Sequence, residues 1–311
     1  MTEKPSFAFK NPAIPASLSV IIPAYEDAAG LDETLRSLSR QKGISFPLEI
    51  IVANDGGAED ISKVCRARSV REVLVVPNGG SYRARNLALA ESRGEFVGFV
   101  DANIVVPPNW CADGRHALAQ ADYVGGPIAF IEPSVKTVAY YYQVASAFQV
   151  QKYMQVSHFA PTANLFVRRG VFEALSGFDE RLRSSGDMEF GIRVFESGRF
   201  KQAFCAAVEV RHPARTLSEL RRRQLRVLEG FQLRARLHPG MFVQPGWGSV
   251  LRALIPVVRV REILIVMKRG GLWMAFQFYL MAYSLRARGA IINARSLLAL
   301  RGPGSAANLE K

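Results

Sequence analysis

Short β-branched runs alternate with helix-period segments along the first third of the chain, and this alternation constrains the fold more than any other feature. The β-branched runs are Leu18–Ile22, Leu48–Ala53, Glu72–Val76 and Phe96–Val100. Between them, residues 31–41, 58–67 and 81–92 space their apolar side chains three and four apart, as amphipathic helices do. Strand–helix–strand repeats of this kind predict an α/β fold, a mostly parallel sheet with helices on both faces.

The net charge of +13 is concentrated at the C-terminal end. Residues 1–210 hold 22 basic and 23 acidic residues, whereas residues 211–311 hold 18 basic and 4 acidic ones, a balance of +14. The first two thirds therefore have the charge balance of an ordinary soluble enzyme. The last third, basic and rich in large apolar residues, is typical of a segment that meets an anionic surface.

Three cysteines and a polar N-terminus bear on the compartment. Cys65, Cys111 and Cys205 lie too far apart for a local metal knuckle, and their odd number fits no complete disulfide framework. Residues 1–10 contain no apolar core of a signal peptide. We expect a reduced, cytoplasmic environment for most of the chain.

Polar residues follow the predicted strands, where the ligands of such sheets bind. Pro23, Tyr25 and Glu26 follow the first strand, Asn54 and Asp55 end the second, and Asp101 and Asn103 follow the fourth. Two oxygen ligands two residues apart, Asp101 and Asn103, suit Mg²⁺ or Mn²⁺ held against substrate phosphates, although an Asx-turn explains them equally well.

Further charged residues are candidates for chemistry. Asp187 and Glu189 open a predicted helix, where a carboxylate either favours the helix dipole or acts as a general base. Arg83 and Arg85 follow a Gly-Gly turn at another helix start, a position that suits phosphate oxygens. His212 precedes an arginine cluster; a lone histidine is more often structural than functional.

In their order and spacing, five of these motifs resemble glycosyltransferases of family 2. They are Asn54-Asp55-Gly56-Gly57, the Arg85-Asn86 helix opening, Asp101-Ala102-Asn103, Gly177-Phe178-Asp179-Glu180, and Asp187-Met188-Glu189-Phe190 with Arg193. The resemblance covers roughly residues 18–236. It implies a Rossmann-like GT-A fold and inverting transfer from a nucleotide diphosphate sugar.

The resemblance also implies a role for individual residues. Nucleotide-sugar binding falls to Pro23, Tyr25, Glu26, Asp55, Arg85, Asp101 and His212, and a Mn²⁺ or Mg²⁺ ion to Asp101, Asn103 and His212. Asp187 matches the catalytic base. Asn164, Asp187 and Glu189 lie in segments that match the acceptor side of the pocket.

Three positions depart from the family pattern. Asn54 and Asn103 replace acidic residues, and Gly186 replaces the Glu that normally precedes the base. Asn103 should weaken the cation site, because a neutral carbonyl ligand supplies no charge. The segment Arg223–Val227 lacks the tryptophan of the Gln-x-x-Arg-Trp motif of processive relatives, which favours addition of a single sugar.

These observations predict a domain organisation. An N-terminal extension, 1–17, precedes a glycosyltransferase domain, 18–240, with a nucleotide-binding half (18–105) and an acceptor-binding half (106–240). A helical, basic and apolar tail, 241–311, should follow it.

The tail is expected to attach the protein to the cytoplasmic face of a membrane. Residues 270–285 are uncharged, too few for a simple span and better suited to an interfacial or re-entrant helix. Residues 249–300 are therefore predicted to bind peripherally, and the alternative is a helical cap on the enzyme. A membrane location would suit a glycan or lipid-linked acceptor in cell-envelope polysaccharide or glycolipid synthesis.

Two other functions stay open on sequence. Asn103 and Gly186 would also suit a nucleotide-sugar-binding protein that has lost catalysis, although Asp187 is retained. The arginine-rich segment 211–236 would suit nucleic acid, but this reading does not explain the acidic strand ends. Uridine diphosphate donors are the commonest in the resembling class.

Overall fold

The computed structural model describes residues 7–299, which fall into two compact units. One unit comprises the chain up to Ile131 together with Phe148–Pro213. The other comprises Glu132–Ala147 together with the chain from Ala214 onward. Residues 1–6 of the predicted N-terminal extension and 300–311 of the predicted tail lie outside the described residues.

The first unit is built on a seven-stranded sheet whose order is β3-β2-β1-β4-β7-β5-β8. Its strands are β1 (Ile14–Ala24), β2 (Leu48–Asp55), β3 (Arg71–Val75), β4 (Gly94–Val100), β5 (Tyr123–Gly125), β7 (Asn164–Arg168) and β8 (Gln202–Phe204). β6 (Ile128–Ile131) and β9 (Val210–Pro213) form a separate parallel pair. Only β7 runs antiparallel to both of its neighbours in the large sheet. The predicted mostly parallel α/β fold is confirmed.

Helices of the first unit lie between these strands. They are α1 (Ala28–Leu38), α2 (Glu59–Ala67), α3 (Ser81–Glu91), α4 (Trp110–Ala117), α6 (Val150–Ser157), α7 (Arg169–Leu175) and α8 (Gly186–Glu196). The four strands and three helices predicted between residues 18 and 100 are all present, with ends shifted by at most four residues. β1 begins at Ile14, inside the predicted N-terminal extension, because Ile14 already pairs with Gly94 of β4.

The strand order reverses at β1, and we call the space at the carboxyl ends of β1 and β4 the crevice. From β1 the chain moves outward to β2 and β3 and then crosses back to β4 on the other side of β1. The carboxyl ends of β1 and β4 therefore lie side by side where the strand order reverses, which is where open α/β sheets bind ligands. The segments after β1 and β4 carry Tyr25, Glu26, Asp101 and Asn103.

The core of the first unit is rich in aromatic rings. Trp110 of α4 is fully buried against Phe166 of β7, with ring centroids 4.4 Å apart. Gly114, one turn further along α4, allows this packing, since an added Cβ would lie 2.1 Å from the Phe166 ring. Phe99, Phe172, Phe178 and Phe190 form a second cluster.

The second unit is helical. It contains α5 (Val138–Ser146), α9 (Leu217–Leu237), α10 (Trp247–Leu254) and α11 (Val260–Ala299), and α11 is broken at Gly271, whose φ is 81°. α9 starts with a capping box, in which Thr216 and Glu219 each bond the other's backbone N–H. Contacts thus group α9 with the C-terminal helices, while the predicted domain boundary at residue 240 stays a prediction.

Part of the uncharged run 270–285 packs inside this unit. Phe278 is fully buried against Tyr142 of α5, and Met281 and Leu285 join a small core with Ala139 and Leu220. Leu272, Trp273 and Phe276 are exposed. No helix among residues 7–299 is long and apolar enough to cross a membrane.

A pair of glycine substitutions tests the packing of α4. Gly114→Ala should lower the free energy of unfolding by about 1–3 kcal/mol, because its methyl group overlaps the Phe166 ring. Gly170→Ala, at an exposed position of α7 with nothing within 4 Å, should raise it by about 0.5 kcal/mol. Urea unfolding of both variants measures the difference, and equal stability of the two would contradict the described packing.

Candidate active site

Asp55, the last residue of β2, holds the start of α3 in place. Its buried carboxylate accepts hydrogen bonds from the backbone N–H groups of Gly79 (2.7 Å) and Gly80 (3.0 Å). Gly80 has a φ of 86°, a left-handed conformation that favours glycine. The sequence predicts that Asp55 binds the nucleotide. The structure shows a carboxylate that orders the turn before α3.

Arg85 of α3 forms an ion pair with Asp101 at the end of β4. The guanidinium is almost completely buried, and its Nη2 lies 2.5 Å from Asp101 Oδ1. Its Nη1 donates to the carbonyl of Ser81, while Nε is buried without a hydrogen-bond partner. A buried charge of this kind requires a charged partner, so the pair ties α3 to the crevice.

Asn103 is fixed on the same loop by α1 and the residue that caps it. Asn103 has a φ of 67°, a left-handed conformation that Asn adopts more readily than most residues. Its Nδ2 donates to Asp27, the N-cap of α1, and its backbone N–H donates to the carbonyl of Gly30. Gly30 permits this close approach, because an added Cβ would lie 2.7 Å from the Cβ of Asn103.

The oxygens of Asp101 and Asn103 fit a divalent cation that shares its coordination with a substrate. Arg85 binds one carboxylate oxygen of Asp101, and the 39% exposed side chain leaves the second available. Asn103 Oδ1 is buried without a partner. Residues 7–299 contain no group of three or more His, Cys, Asp or Glu that could hold a metal. Mg²⁺ commonly binds through one or two carboxylates plus phosphate oxygens and water, which this donor set allows.

Asp187, near the start of α8, is oriented by a tyrosine from α3. The hydroxyl of Tyr82 donates to Asp187 Oδ1 at 3.2 Å, and the backbone N–H of Met188 donates to the same oxygen at 2.9 Å. Burial raises the pKa of Asp187 above its usual range, while these hydrogen bonds and the charge of Arg85 oppose the rise. The residue as a whole remains partly exposed, so a substrate proton can reach it.

Gly186 makes the contact between Tyr82 and Asp187 possible. A Cβ at this position would lie 2.8–2.9 Å from three atoms of the Tyr82 ring. Any larger residue would therefore push Tyr82 away from Asp187. The departure from the family pattern at Gly186 thus has a packing reason.

Tyr25 and Glu26 lie at the open rim of the crevice. The Tyr25 side chain is half exposed, and Gly56, with a φ of 114°, allows its ring to approach the loop after β2. Hydrogen bonding to Glu26 and the negative charge of its carboxylate raise the pKa of Tyr25. Pro23 pairs with Ala53 within the sheet. An exposed aromatic ring at this edge suits stacking on a flat ligand.

Three of the predicted site residues are buried and have structural partners. Asn164 is fully buried; it accepts from Trp110 Nε1 and donates to the carbonyls of Pro127 and Val208. Glu189 is fully buried in a two-pronged ion pair with Arg193. His212 is buried on β9 beside the rings of Phe130 and Phe148, and its Nδ1 lies 2.5 Å from the carbonyl of Pro213.

These surroundings change what the three residues can do. To bind an acceptor, Asn164 or Glu189 would have to expose a side chain that is buried and hydrogen-bonded to other parts of the core. Both have structural contacts in this unit, and the acceptor contact predicted for them stays a prediction. The nucleotide or metal contact predicted for His212 stays a prediction.

Tyr82 and Asp27 belong to the site but were missed on sequence. Tyr82 reads as one apolar position of α3, and Asp27 as an ordinary N-cap. Only the fold shows that Tyr82 faces α8, 105 residues further along the chain. The sequence holds one signal of this contact: Gly186, directly before Asp187, has no side chain and so leaves room for a neighbouring ring.

Comparison with known proteins places this site in a family context. Residues 19–176 match the model of the family described as glycosyl transferase family 2. The chain is 30% identical over 220 residues to the glycosyltransferase AglE of Haloferax volcanii, an alignment that covers 68% of this chain and 72% of that protein.

Two solved structures are similar in fold. One is the mannosyltransferase PcManGT of Pyrobaculum calidifontis in complex with GDP-Man and Mn²⁺, with a TM-score of 0.53 and 16% identity over 98% of this chain and 81% of that one. The other is residues 1–349 of TarS of S. aureus in complex with UDP-GlcNAc, with a TM-score of 0.52 and 17% identity over 92% and 91% of the two chains. At these identities the likeness concerns the fold alone.

The part played by Asp55 can be tested by stability. Asp55→Asn should lower the free energy of unfolding by about 1–3 kcal/mol and speed hydrogen exchange at Gly79 and Gly80, because an amide offers only one oxygen to the two N–H groups. Asp60→Asn, an exposed position on α2, is the control. Urea unfolding and NMR hydrogen exchange measure both effects. Unchanged exchange at the two glycines would show that Asp55 does not hold the turn.

Proposed function

The chain belongs to glycosyl transferase family 2 and has the GT-A fold, and we propose that it is an inverting enzyme acting on a nucleotide diphosphate sugar. The acceptor proposed is a hydroxyl of a glycan or a lipid-linked sugar in cell-envelope synthesis, extended by one sugar in each reaction. GDP-Man and UDP-GlcNAc in two proteins of similar fold support a nucleotide sugar as donor. A uridine diphosphate donor is proposed first.

One observation carries this proposal. Helix α3 links the proposed base to the proposed diphosphate site: Tyr82 donates to Asp187, and Arg85, three residues on, binds Asp101. The Arg85 guanidinium also lies 5.6 Å from the centre of the Tyr82 ring. A group that accepts a proton and a group that stabilises negative charge are thus held by one rigid element.

The proposed reaction is a single displacement. Asp187 accepts the proton of the acceptor hydroxyl, whose oxygen forms a bond to the anomeric carbon of the donor. The bond from that carbon to the diphosphate oxygen breaks on the opposite face, and the bonding electrons leave with the nucleoside diphosphate. Configuration at the anomeric carbon is therefore inverted.

Negative charge builds up on the departing diphosphate, and we propose that the Arg85 guanidinium, whose charge Asp101 partly balances, lies beside it. Because Arg85 is buried and held by Asp101 before the substrate binds, little reorganisation is needed during the reaction. Asp101, with Asn103 beside it, would hold a Mg²⁺ or Mn²⁺ ion, which neutralises diphosphate charge when bound. Mn²⁺ in the complex of PcManGT supports the same class of ion here.

The crevice rim is proposed to bind the nucleoside. Tyr25 offers an exposed ring for stacking, and Glu26, in a left-handed conformation with a φ of 51°, lies next to it. Asp55 would contribute to nucleoside binding indirectly, by ordering the turn before α3. These assignments follow the family resemblance and the position of each residue at the carboxyl edge of the sheet.

Removal of the proposed base tests the function. Asp187→Asn should reduce turnover by at least about 100-fold, the typical contribution of general base catalysis, while donor binding stays within about twofold of wild type. Transfer to a glycan acceptor and calorimetric donor titration measure the two quantities, with Asp60→Asn as control. Loss of donor binding equal to the loss of turnover would contradict the proposed role.

The pH dependence tests the contact between Tyr82 and Asp187. The base must be ionised, so activity should rise as pH passes through the pKa of Asp187, which burial places above that of an ordinary aspartate. Tyr82→Phe removes a hydrogen bond that stabilises the carboxylate and should move the acidic limb of kcat/KM to higher pH. Tyr153→Phe, whose ring stacks on Phe159, is the control. A limb that stays in place or moves to lower pH would contradict this assignment.

A further inference from the structure

Large apolar side chains are exposed together on the last two helices of the second unit. They come from the end of α10, the segment before α11 and the outer positions of α11: Leu251, Leu254, Ile255, Val257, Val258, Val260, Leu264, Leu272, Trp273 and Phe276. We call these ten residues the apolar surface. Scattered exposed apolar residues are normal, but a dense group of this kind marks a binding surface.

The opposite sides of the same helices are buried in the protein. Val250 of α10 and Val266, Ala275 and Phe278 of α11 are each less than 5% exposed. α10 is also anchored to α11 by bonds from Tyr283 and Arg286 to backbone carbonyls at residues 252–254. The exposed side chains therefore project from an ordered support.

Basic residues interleave the apolar surface. Arg252, Arg261, Lys268 and Arg269 lie on the same two helices and are exposed. From residue 241 to residue 299 the sequence contains eight basic residues and one acidic residue, Glu262. That residue pairs with Arg259 at 3.0 Å, so its charge is already neutralised. An occupant of this surface must offer apolar groups and negative charge together.

An anionic lipid leaflet meets both requirements. Nucleic acid would pair with the arginines but would leave Leu272 and the valines against charged phosphates and water. A second copy of the chain would bring two strongly basic surfaces together. Helices with bulky apolar residues on one side and Lys or Arg beside them lie in the plane of the headgroup layer. Each basic residue near an anionic leaflet adds about 1 kcal/mol of attraction.

We propose that the apolar surface inserts into the headgroup region of an anionic phospholipid leaflet and attaches the protein peripherally to the membrane. The cytoplasmic face is the location proposed, because the anionic lipids concentrate there. The buried residues Phe278, Met281 and Leu285 remain packed on the protein, so the inserting part is narrower than residues 249–300. This proposal does not depend on the transfer chemistry.

Vesicle flotation of the full chain tests the proposal. Wild type should bind vesicles of phosphatidylcholine with 30% phosphatidylglycerol at least about tenfold more tightly than pure phosphatidylcholine vesicles, because of the basic residues. Replacing Trp273 and Phe276 together by Ser should weaken binding at least about tenfold. Replacing Lys268 and Arg269 together by Gln should remove part of the preference for anionic vesicles.

Matched controls separate binding from folding. Val135→Ser with Val156→Ser changes two exposed valines that lie outside the apolar surface and should leave binding unchanged. Circular dichroism and the thermal midpoint should be the same for every variant, since each side chain is exposed or charged. A variant that loses both binding and fold is replaced by Leu272→Ser, which removes a single side chain that is 76% exposed.

A second readout reports insertion directly. In a Trp247→Phe background, with excitation that selects tryptophan, the signal comes from the fully buried Trp110 and the exposed Trp273. Brominated lipid should quench this fluorescence, and the further change Trp273→Phe should remove the quenching while vesicle binding persists. Absence of binding to both kinds of vesicle would overturn the proposal. So would a stable dimer in solution that the Trp273 and Phe276 substitutions dissociate, or tighter binding to nucleic acid than to vesicles.

Discussion

The ion pair between the buried Arg85 guanidinium and the partly exposed Asp101 carboxylate is the interaction on which the site depends. A guanidinium removed from water requires a negative partner, and Asp101 at the end of β4 supplies it to α3. Asp55 fixes the other side of α3 by binding the two amides that precede it. Tyr82, one turn before Arg85, is thereby aimed at Asp187. The ends of β2 and β4 and the start of α8 are therefore all bound to one short helix, α3.

The sequence departures from the family pattern fit this local structure. Asn54 accepts from the backbone of Ala58 through its oxygen and donates to the carbonyl of Ala58 and to Glu72 through its nitrogen. A carboxylate could not donate these bonds. Asn103 likewise combines a left-handed backbone with donation to Asp27, and Gly186 makes room for Tyr82. The three changes therefore do not by themselves indicate a site that has lost its chemistry.

The sequence predicted the sheet and the polar residues at the carboxyl ends of its strands. Hydrophobic periodicity and the residues that follow a strand can both be seen in a short stretch of sequence. The four parallel strands and the helices between them were found within four residues of their ends. Sequence could not predict that Asn164 and Glu189 are buried, because residue type does not reveal a partner such as Trp110 or the spatial setting of Arg193. Tyr82 was missed for the same reason. In the uncharged run 270–285, composition could not separate Phe278, which packs inward, from Trp273, which is exposed.

The central claim is that the carboxyl edge around Arg85 and Asp101 binds a nucleotide diphosphate sugar. Thermal unfolding with a panel of nucleotide diphosphates and their sugars, each with and without Mn²⁺, tests it most directly, since a ligand of the native state raises stability with the logarithm of its concentration. We expect one base to raise the thermal midpoint, more strongly with Mn²⁺, and Asp101→Ala to lose the Mn²⁺ contribution. No change with any nucleotide, with or without the ion, would contradict the account.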